Sequence, residues 1–217
     1  RMQLLRTSLS AATMAFVGLG AVEAESLTSN VTRVLFLGDR GLHRPQERFE
    51  QLQPVLAKRK IELTFTDDVT DLHSAKLAGF DALLIYANTT EIAADQEQAL
   101  LDFVSAGGGF VPIHCASYCF HNSQKYIDLV GAQFQRHGVG VFKETLVNHD
   151  HEIMRGLSAI ESWDESYVHT KHNPDRLVLA ERRDGDGAEP WTWVRSHGKG
   201  RVFYTAWGHD ERTWGCL

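Results

Sequence analysis

Gly107-Gly-Gly-Phe-Val-Pro-Ile-His-Cys-Ala-Ser-Tyr-Cys-Phe-His121 decides how this chain folds. A glycine cluster leads into the short apolar run Phe110–Ile113, which stops at His114 and Cys115. Small residues follow, and a helical pattern begins near Ser123. The pattern predicts a buried strand ending in a sharp turn that presents polar groups at its tip. Open parallel sheets bind ligands just outside the carboxyl ends of their strands. The stretch therefore predicts one edge of a binding or active site. Its glycines invite a phosphate-loop reading. They precede a strand, however, and neither a Gly-Lys-Ser/Thr nor a Gly-x-Gly-x-x-Gly pattern follows, so they are read as a helix stop and turn.

Working outward, Val31–Leu37, Ile61–Thr66 and Ala82–Tyr86 are further strand candidates. Helical spacing fills the gaps between them: Pro45 to Arg59, a short segment at Asp71–Leu77, and Ala94 to Ala106, with Gly107 as its stop. Apolar strands alternating with helices through short loops imply right-handed βαβ units and a parallel sheet. From Val139 the character changes. Val139–Val147, Tyr167–Thr170, Leu177–Arg182, Thr192–Arg195 and Arg201–Tyr204 read as strands with almost no helix between them. Asp184–Gly187 reads as a turn and Ser196–Gly200 as a hairpin connection. The fold class is thus α/β, a doubly wound, mainly parallel sheet with an antiparallel extension in the second half.

The 217 residues suit one domain, expected over 31–217. Arg1 and Arg6 form a basic region ahead of the apolar or small segment Leu9–Val22, and Val22-Glu-Ala24 resembles a cleavage site, so residues 1–24 read as a signal peptide. That segment is too short to span a membrane, which takes about 20 residues. No other segment qualifies. Loss of Arg1, Arg6 and Glu23 moves the formal charge from −6 to −7. An acidic surface without a basic run argues against nucleic acid as a partner. The expected location is the periplasm or the cell exterior. Cys115, Cys119 and Cys216 make an odd count for an oxidising compartment and leave disulfide status open.

Eleven histidines is a high count. His43 follows the first strand, His114 the fourth, and His209 the last, so all three belong at one sheet edge. Trp163-Asp-Glu-Ser-Tyr167 sets two carboxylates among aromatic rings, where burial raises a carboxyl pKa and suits Glu165 to acid–base work or to orienting a histidine. Asp164 reads equally as a cap on a solvated turn. Arg136 and His137 suit an anionic or polyhydroxylated ligand, or a plain surface turn. Asn88, Tyr167 and Trp207 complete the substrate-binding candidates with His43. His149-Asp-His151 offers metal-ligand types, yet its spacing fits a strand-to-turn corner; no metal site and no cofactor is assigned.

In class I glutamine amidotransferases a Gly-x-Cys-x-Gly elbow follows a similar glycine-rich turn and strand. Here His114 stands where that cysteine would fall, Cys115 comes one residue late, and Pro112 and Ala116 replace the glycines. Beyond this stretch, Gly131-Ala-Gln-Phe-Gln-Arg-His137, Asp164-Glu-Ser-Tyr167, Gly198-Lys-Gly-Arg-Val-Phe-Tyr-Thr205 and Gly208-His-Asp210 occur in order. Together the segments resemble the ThuA-like family, named for trehalose utilisation, whose fold is similar to that of class I glutamine amidotransferases. The resemblance implies a sugar-related role, a small-molecule carbohydrate partner, and polar positions at His114, Glu165 and His209. Such domains also head longer secreted proteins with haem-binding or dehydrogenase modules. Fusion to further carboxyl-terminal modules is therefore expected, as the chain stops soon after Trp214 where a closing helix belongs; it holds no Cys-x-x-Cys-His itself.

Three functions compete. The first is an enzyme acting on a keto-sugar or glycoside through His114, His209 and Glu165. The second is a carbohydrate-binding module using Trp163, Tyr167, Trp207 and Trp214. The third is an amidotransferase-like hydrolase using Cys115. The leader reading has its own test. Amino-terminal sequencing of exported protein should begin at Glu25, and exported material beginning at Met2 would reject the cleavage.

Overall fold

The computed structural model describes residues 31–185 and 187–215. The proposed leader and Cys216 lie outside them. Strands β1 (Thr32–Leu37), β2 (Ile61–Thr66), β3 (Ala82–Ile85) and β4 (Gly109–Pro112) alternate with helices α1 (Pro45–Ala57), α2 (Ser74–Leu77) and α3 (Ala94–Ser105). A 3-10 turn, His114–Tyr118, and helix α4 (Gln124–Val130) follow β4. Strands β5 (Gln133–Leu146), β6 (Glu161–Thr170), β7 (Leu177–Asp184), β8 (Gly187–His197) and β9 (Gly200–Thr205) then run consecutively to a one-turn helix, α5 (Glu211–Trp214). One sheet contains all nine strands in the order β2-β1-β3-β4-β9-β8-β7-β5-β6. The first five in that order are parallel, and the rest pair antiparallel.

The pleat of β1 shows why helices cover both faces. Successive strand side chains point to opposite sides. Val34 and Phe36 therefore meet Phe49, Leu52 and Leu56 of α1. Leu35 and Leu37 enter the larger core with Leu100 and Val104 of α3 and Leu129 of α4. A strand buried on both faces needs an unbroken apolar run, which is what the sequence supplies in this half. The antiparallel half is anchored by Trp191 and Trp193, both fully buried, with the Trp193 indole donating to the Val130 carbonyl (2.8 Å).

Strand β9 joins the two halves. It lies parallel to β4 on one side and antiparallel to β8 on the other. Gly198 (φ 58°) turns the β8–β9 hairpin. The carboxyl ends of β1, β3, β4 and β9 therefore line one edge of the sheet, as the strand–helix alternation predicts. The expected strands at Val139–Val147 and Tyr167–Thr170 prove longer: β5 starts at Gln133 and β6 at Glu161. Arg136, His137 and Glu165 thus lie on strands rather than in turns. A bulge between Phe134 and Arg136 interrupts the β5–β6 ladder, a device that bends a strand and increases its twist.

Gly200 marks the closest approach of β9 to α3. A Cβ there would fall on the Val104 carbonyl oxygen and within 2.6 Å of the Gly108 oxygen, both backbone atoms that cannot rotate away. Gly200→Ala should therefore cost about 1–3 kcal/mol, the range for overpacking, read as a lower midpoint in denaturant unfolding.

Candidate functional site

Four separate segments bring histidines and a carboxylate to the carboxyl edge of the parallel strands. His43 comes from the β1–α1 loop, His114 from the first residue after the β4 extension, and His209 from the segment after β9. Glu165 arrives on β6, carried back over this edge by the β5–β6 ribbon. The ring centroids of His43 lie 5.1 Å from those of His114 and 5.2 Å from those of His209, and His114 and His209 are 5.9 Å apart. Glu165 Oε2 is 3.3 Å from His114 Nε2, and Oε1 is 3.2 Å from His209 Nδ1. His137 reaches Oε1 from β5 at 3.6 Å, and Tyr167 stacks on His114 at 4.1 Å between centroids.

His114 has φ 47°, a left-handed conformation that a non-glycine residue rarely adopts. Such strain, held by its surroundings, clusters at functional sites. Three contacts hold it. Its Nδ1 lies 2.7 Å from the Ala206 carbonyl. Gly208 approaches so closely that a Cβ would sit 3.0 Å from the His114 Cβ. Beneath the turn, the Tyr204 hydroxyl lies 3.1 Å from the His114 carbonyl, 3.0 Å from Ser117 Oγ and 3.0 Å from His169 Nε2. His169 in turn bonds Glu189 through Nδ1 at 2.8 Å.

The other members are also propped. His43 Nδ1 bonds Asn88 Oδ1 at 2.6 Å, and the Asn88 backbone N–H donates to Asp39. Fully buried Asp164 accepts from the backbone N–H groups of Gly208 (3.1 Å), His209 (3.0 Å) and Glu165 (2.7 Å). It is therefore a clamp and not the cap of a solvated turn. Asp39 and His169, and the clamping role of Asp164, escaped the reading of the sequence. Their partners are backbone groups or residues far along the chain, and only the Asp164–Glu165 adjacency hinted at any of them.

A carbonyl and an amide oxygen can only accept, so Nδ1 of both His114 and His43 carries the proton. Their Nε2 atoms then hold lone pairs. Those two atoms and His209 Nδ1 are buried and make no hydrogen bond. His43, His114, His209 and Glu165 each offer one ligand atom to a set whose members all lie within 4.8 Å of one another, a grouping able to hold a metal ion. His149-Asp-His151, the metal-ligand types noted in the sequence, instead forms an exposed turn in which His149 pairs with Asp150 at 3.2 Å.

Burial, then the neighbouring His114, lowers the His43 pKa to about 4. Burial pushes the Glu165 carboxyl up, but His114, His209 and His137 outweigh it and hold the pKa below the ordinary value. The raised pKa expected from the flanking aromatic residues is therefore reversed by three imidazoles. Two candidates lie outside the group. Arg136 is exposed and bonds its neighbour Gln135. Trp207 stacks on Phe142 and donates to Glu144 (2.8 Å), facing an apolar recess with Met154 and Phe203. Cys115 is fully buried, and burial pushes its thiol pKa well up. Cys115 and Cys119 are both free thiols.

A polar recess of about 240 Å³, lined by Leu42, His43, Arg44, Arg48, His209 and Asp210, opens onto the cluster. A larger recess, about 1160 Å³, lies at the opposite edge around Arg33, Asp81 and Gly107–Gly109, away from these groups.

A mixed α/β sheet, parallel in its first half and antiparallel in its second, with a histidine–glutamate cluster at the carboxyl edge of its parallel strands defines the class. The chain belongs to the ThuA family, described as trehalose utilisation, whose model matches residues 33–215. That membership supports a role in sugar utilisation. Among solved structures, it is similar to a ThuA-like protein from Bacteroides uniformis ATCC 8492, with TM-score 0.72 and 18% identity over 88% of this chain and 87% of that one. A ThuA-like protein from Parabacteroides merdae ATCC 43184 gives 0.69 and 16%, covering 82% and 80%. A β-galactosidase from Bacillus circulans sp. alkalophilus gives 0.58 and 14%, covering 83% of this chain but 29% of that one. These identities establish a common fold alone. No curated protein sequence matches the chain. Among the described residues, no helix is long and apolar enough to cross a membrane.

The support beneath His114 makes stability depend on pH. Burial lowers the His169 pKa, reinforced by His172 and Arg176 and opposed by Glu189. An imidazole that binds its proton less readily when folded stabilises fully above its ordinary value of 6.5 and loses that contribution as pH falls below it. Melting temperatures between pH 8 and 5 should fall more steeply for the native protein than for His169→Gln. Equal slopes would contradict this assignment.

Proposed function

We propose that this protein is a sugar-utilisation enzyme acting on a keto-glycoside, in which the histidine–glutamate cluster moves a proton next to the sugar carbonyl. The observation that carries the reading is the convergence of His114, Glu165 and His209 within hydrogen-bonding range at the carboxyl edge of the sheet. Removing a proton beside a carbonyl requires a base within reach and an electropositive group for the oxygen that becomes an enolate. Glu165 stays ionised among the imidazoles and is the base. His209 and His137, with side chains 33% and 39% exposed, stand between Glu165 and solvent and pass protons. His114, fully buried, holds its Nε2 lone pair 3.3 Å from Glu165 and takes up the proton that Glu165 abstracts. Tyr167 and His137 offer ring surface beside the reacting groups.

Burial weighs against the alternatives. A binding module needs aromatic faces on an open groove, yet Tyr167 and Trp207 are buried, and the Trp214 indole donates to the Gly208 carbonyl (2.7 Å). A thiol hydrolase needs Cys115 exposed beside a histidine, and it packs with Val34, Phe36 and Leu84. Export through the leader would place the activity in the periplasm or outside the cell.

The test is a screen of the mature protein against glucosides and their 3-keto forms in D₂O. Exchange of the hydrogen next to the carbonyl is followed by NMR. The keto forms should exchange. His114→Ala and His209→Ala should each slow exchange by about 100-fold or more, the usual contribution of a positioned acid or base. Cys115→Ala should stay within about a few-fold, as a packed thiol outside the proton path implies. The opposite ranking would sink the proposal in favour of thiol chemistry.

A further inference from the structure

The geometry points to a divalent transition-metal site formed by His43 Nε2, His114 Nε2, His209 Nδ1 and a carboxylate oxygen of Glu165. It rests on how the lone pairs are arranged and not on the reaction proposed above.

The hydrogen bonds of His43 to Asn88 and of His114 to the Ala206 carbonyl fix both tautomers, so each Nε2 presents a lone pair to the same space. Glu165 adds acceptor oxygens, and His209 Nδ1 faces them at 3.2 Å without a hydrogen bond. The lone pairs of His43 and His114 and the Glu165 oxygens repel one another, and a proton on His209 Nδ1 would relieve only its own contact with Glu165. A single proton between His114 and Glu165 would relieve one contact and leave His43 Nε2 unsatisfied in a buried position. One cation at the centre satisfies all four atoms.

The spacing agrees with this. Ligands about 2.0–2.2 Å from a zinc-sized ion sit roughly 3.3 Å apart in a tetrahedron. The Glu165–His114 and Glu165–His209 separations are 3.3 and 3.2 Å. The widest separation in the set, up to 4.8 Å, narrows by rotation of His209, whose side chain is 33% exposed. Metal-binding histidines ordinarily donate their second ring N–H to an amide, carbonyl or carboxylate oxygen. Asn88 Oδ1 and the Ala206 carbonyl fill those places, and Asp164 holds the backbone of both Glu165 and His209. Three imidazoles with one carboxylate favour zinc, iron, cobalt or nickel over magnesium or calcium, which prefer oxygen ligands. An ion here would supply the electrophile that a sugar carbonyl needs.

Chelator-treated protein, titrated with Zn²⁺ and Co²⁺ by calorimetry and assayed for metal after gel filtration, tests the site. One equivalent per chain should bind, Co²⁺ should develop visible absorption on binding, and Mg²⁺ should not compete. His43→Ala and His209→Ala should weaken binding by about 100-fold or more. Asn88→Ala, which frees the His43 ring, should weaken it by about 10–100-fold. Zinc should raise the melting temperature of the native protein and not that of His209→Ala, which separates lost ligation from lost folding. The His149→Ala/His151→Ala double variant should bind as the native protein does. Native-like affinity in both His43→Ala and His209→Ala, or binding abolished only by the His149/His151 pair, would overturn the assignment, as would failure of the native protein to bind either ion. Metal binding without turnover of any keto-glycoside would refute the reaction and leave the site standing; turnover with no metal bound would do the reverse.

Discussion

Everything at this site depends on how tightly the end of β4 is pressed against the segment leaving β9. The bridge between Ile113 and Thr205 brings the two strand ends together. From there the His114 ring reaches the Ala206 carbonyl, while Gly208 passes over His114 with no room for a side chain. The left-handed backbone of His114 follows from this confinement. A relaxed backbone would turn the ring away from Glu165. The same contact sets the direction in which the chain delivers His209, and Asp164 fixes it by binding the amides of Gly208 and His209. The strain at one residue is thus distributed over hydrogen bonds in three segments.

The parallel half was legible because its physics is local. Buried apolar runs of four to seven residues, separated by helical spacing and glycine stops, leave little choice of topology once crossovers must be right-handed. The sheet edge that gathers His43, His114 and His209 followed from that topology, so three histidines from distant segments could be named together. The antiparallel half was harder. Glu161–Thr170 carries Asp164 and Glu165 at consecutive positions, a pattern that reads as a turn until both carboxylates acquire partners from elsewhere. Gln133–His137 looks like surface because half of it is surface. Its bulge puts Phe134 and His137 near Tyr167 and leaves Arg136 in solvent.

Trp207 shows the limit from the other direction. Only one residue separates it from Thr205 at the end of β9, and nothing in the sequence says that its indole turns toward Glu144. The grouping of lone pairs was invisible for a similar reason. Which ring nitrogen of His43 or His114 carries a proton is decided by Asn88 and by a backbone carbonyl, neither of which any spacing rule relates to them.

The contact between His114 and Ala206 spans 92 positions. Between them lie α4 and the whole antiparallel ladder, while His43 belongs to the first loop of the parallel half. No contiguous fragment therefore contains the site, and a fragment ending at α4 would carry His43 and His114 without a partner for either lone pair. Loops of that length close slowly because chain entropy must be lost before the contact is gained. The cluster is consequently assembled only with the last closure of the sheet. A polypeptide still being synthesised lacks the assembled cluster until β9 seats beside β4.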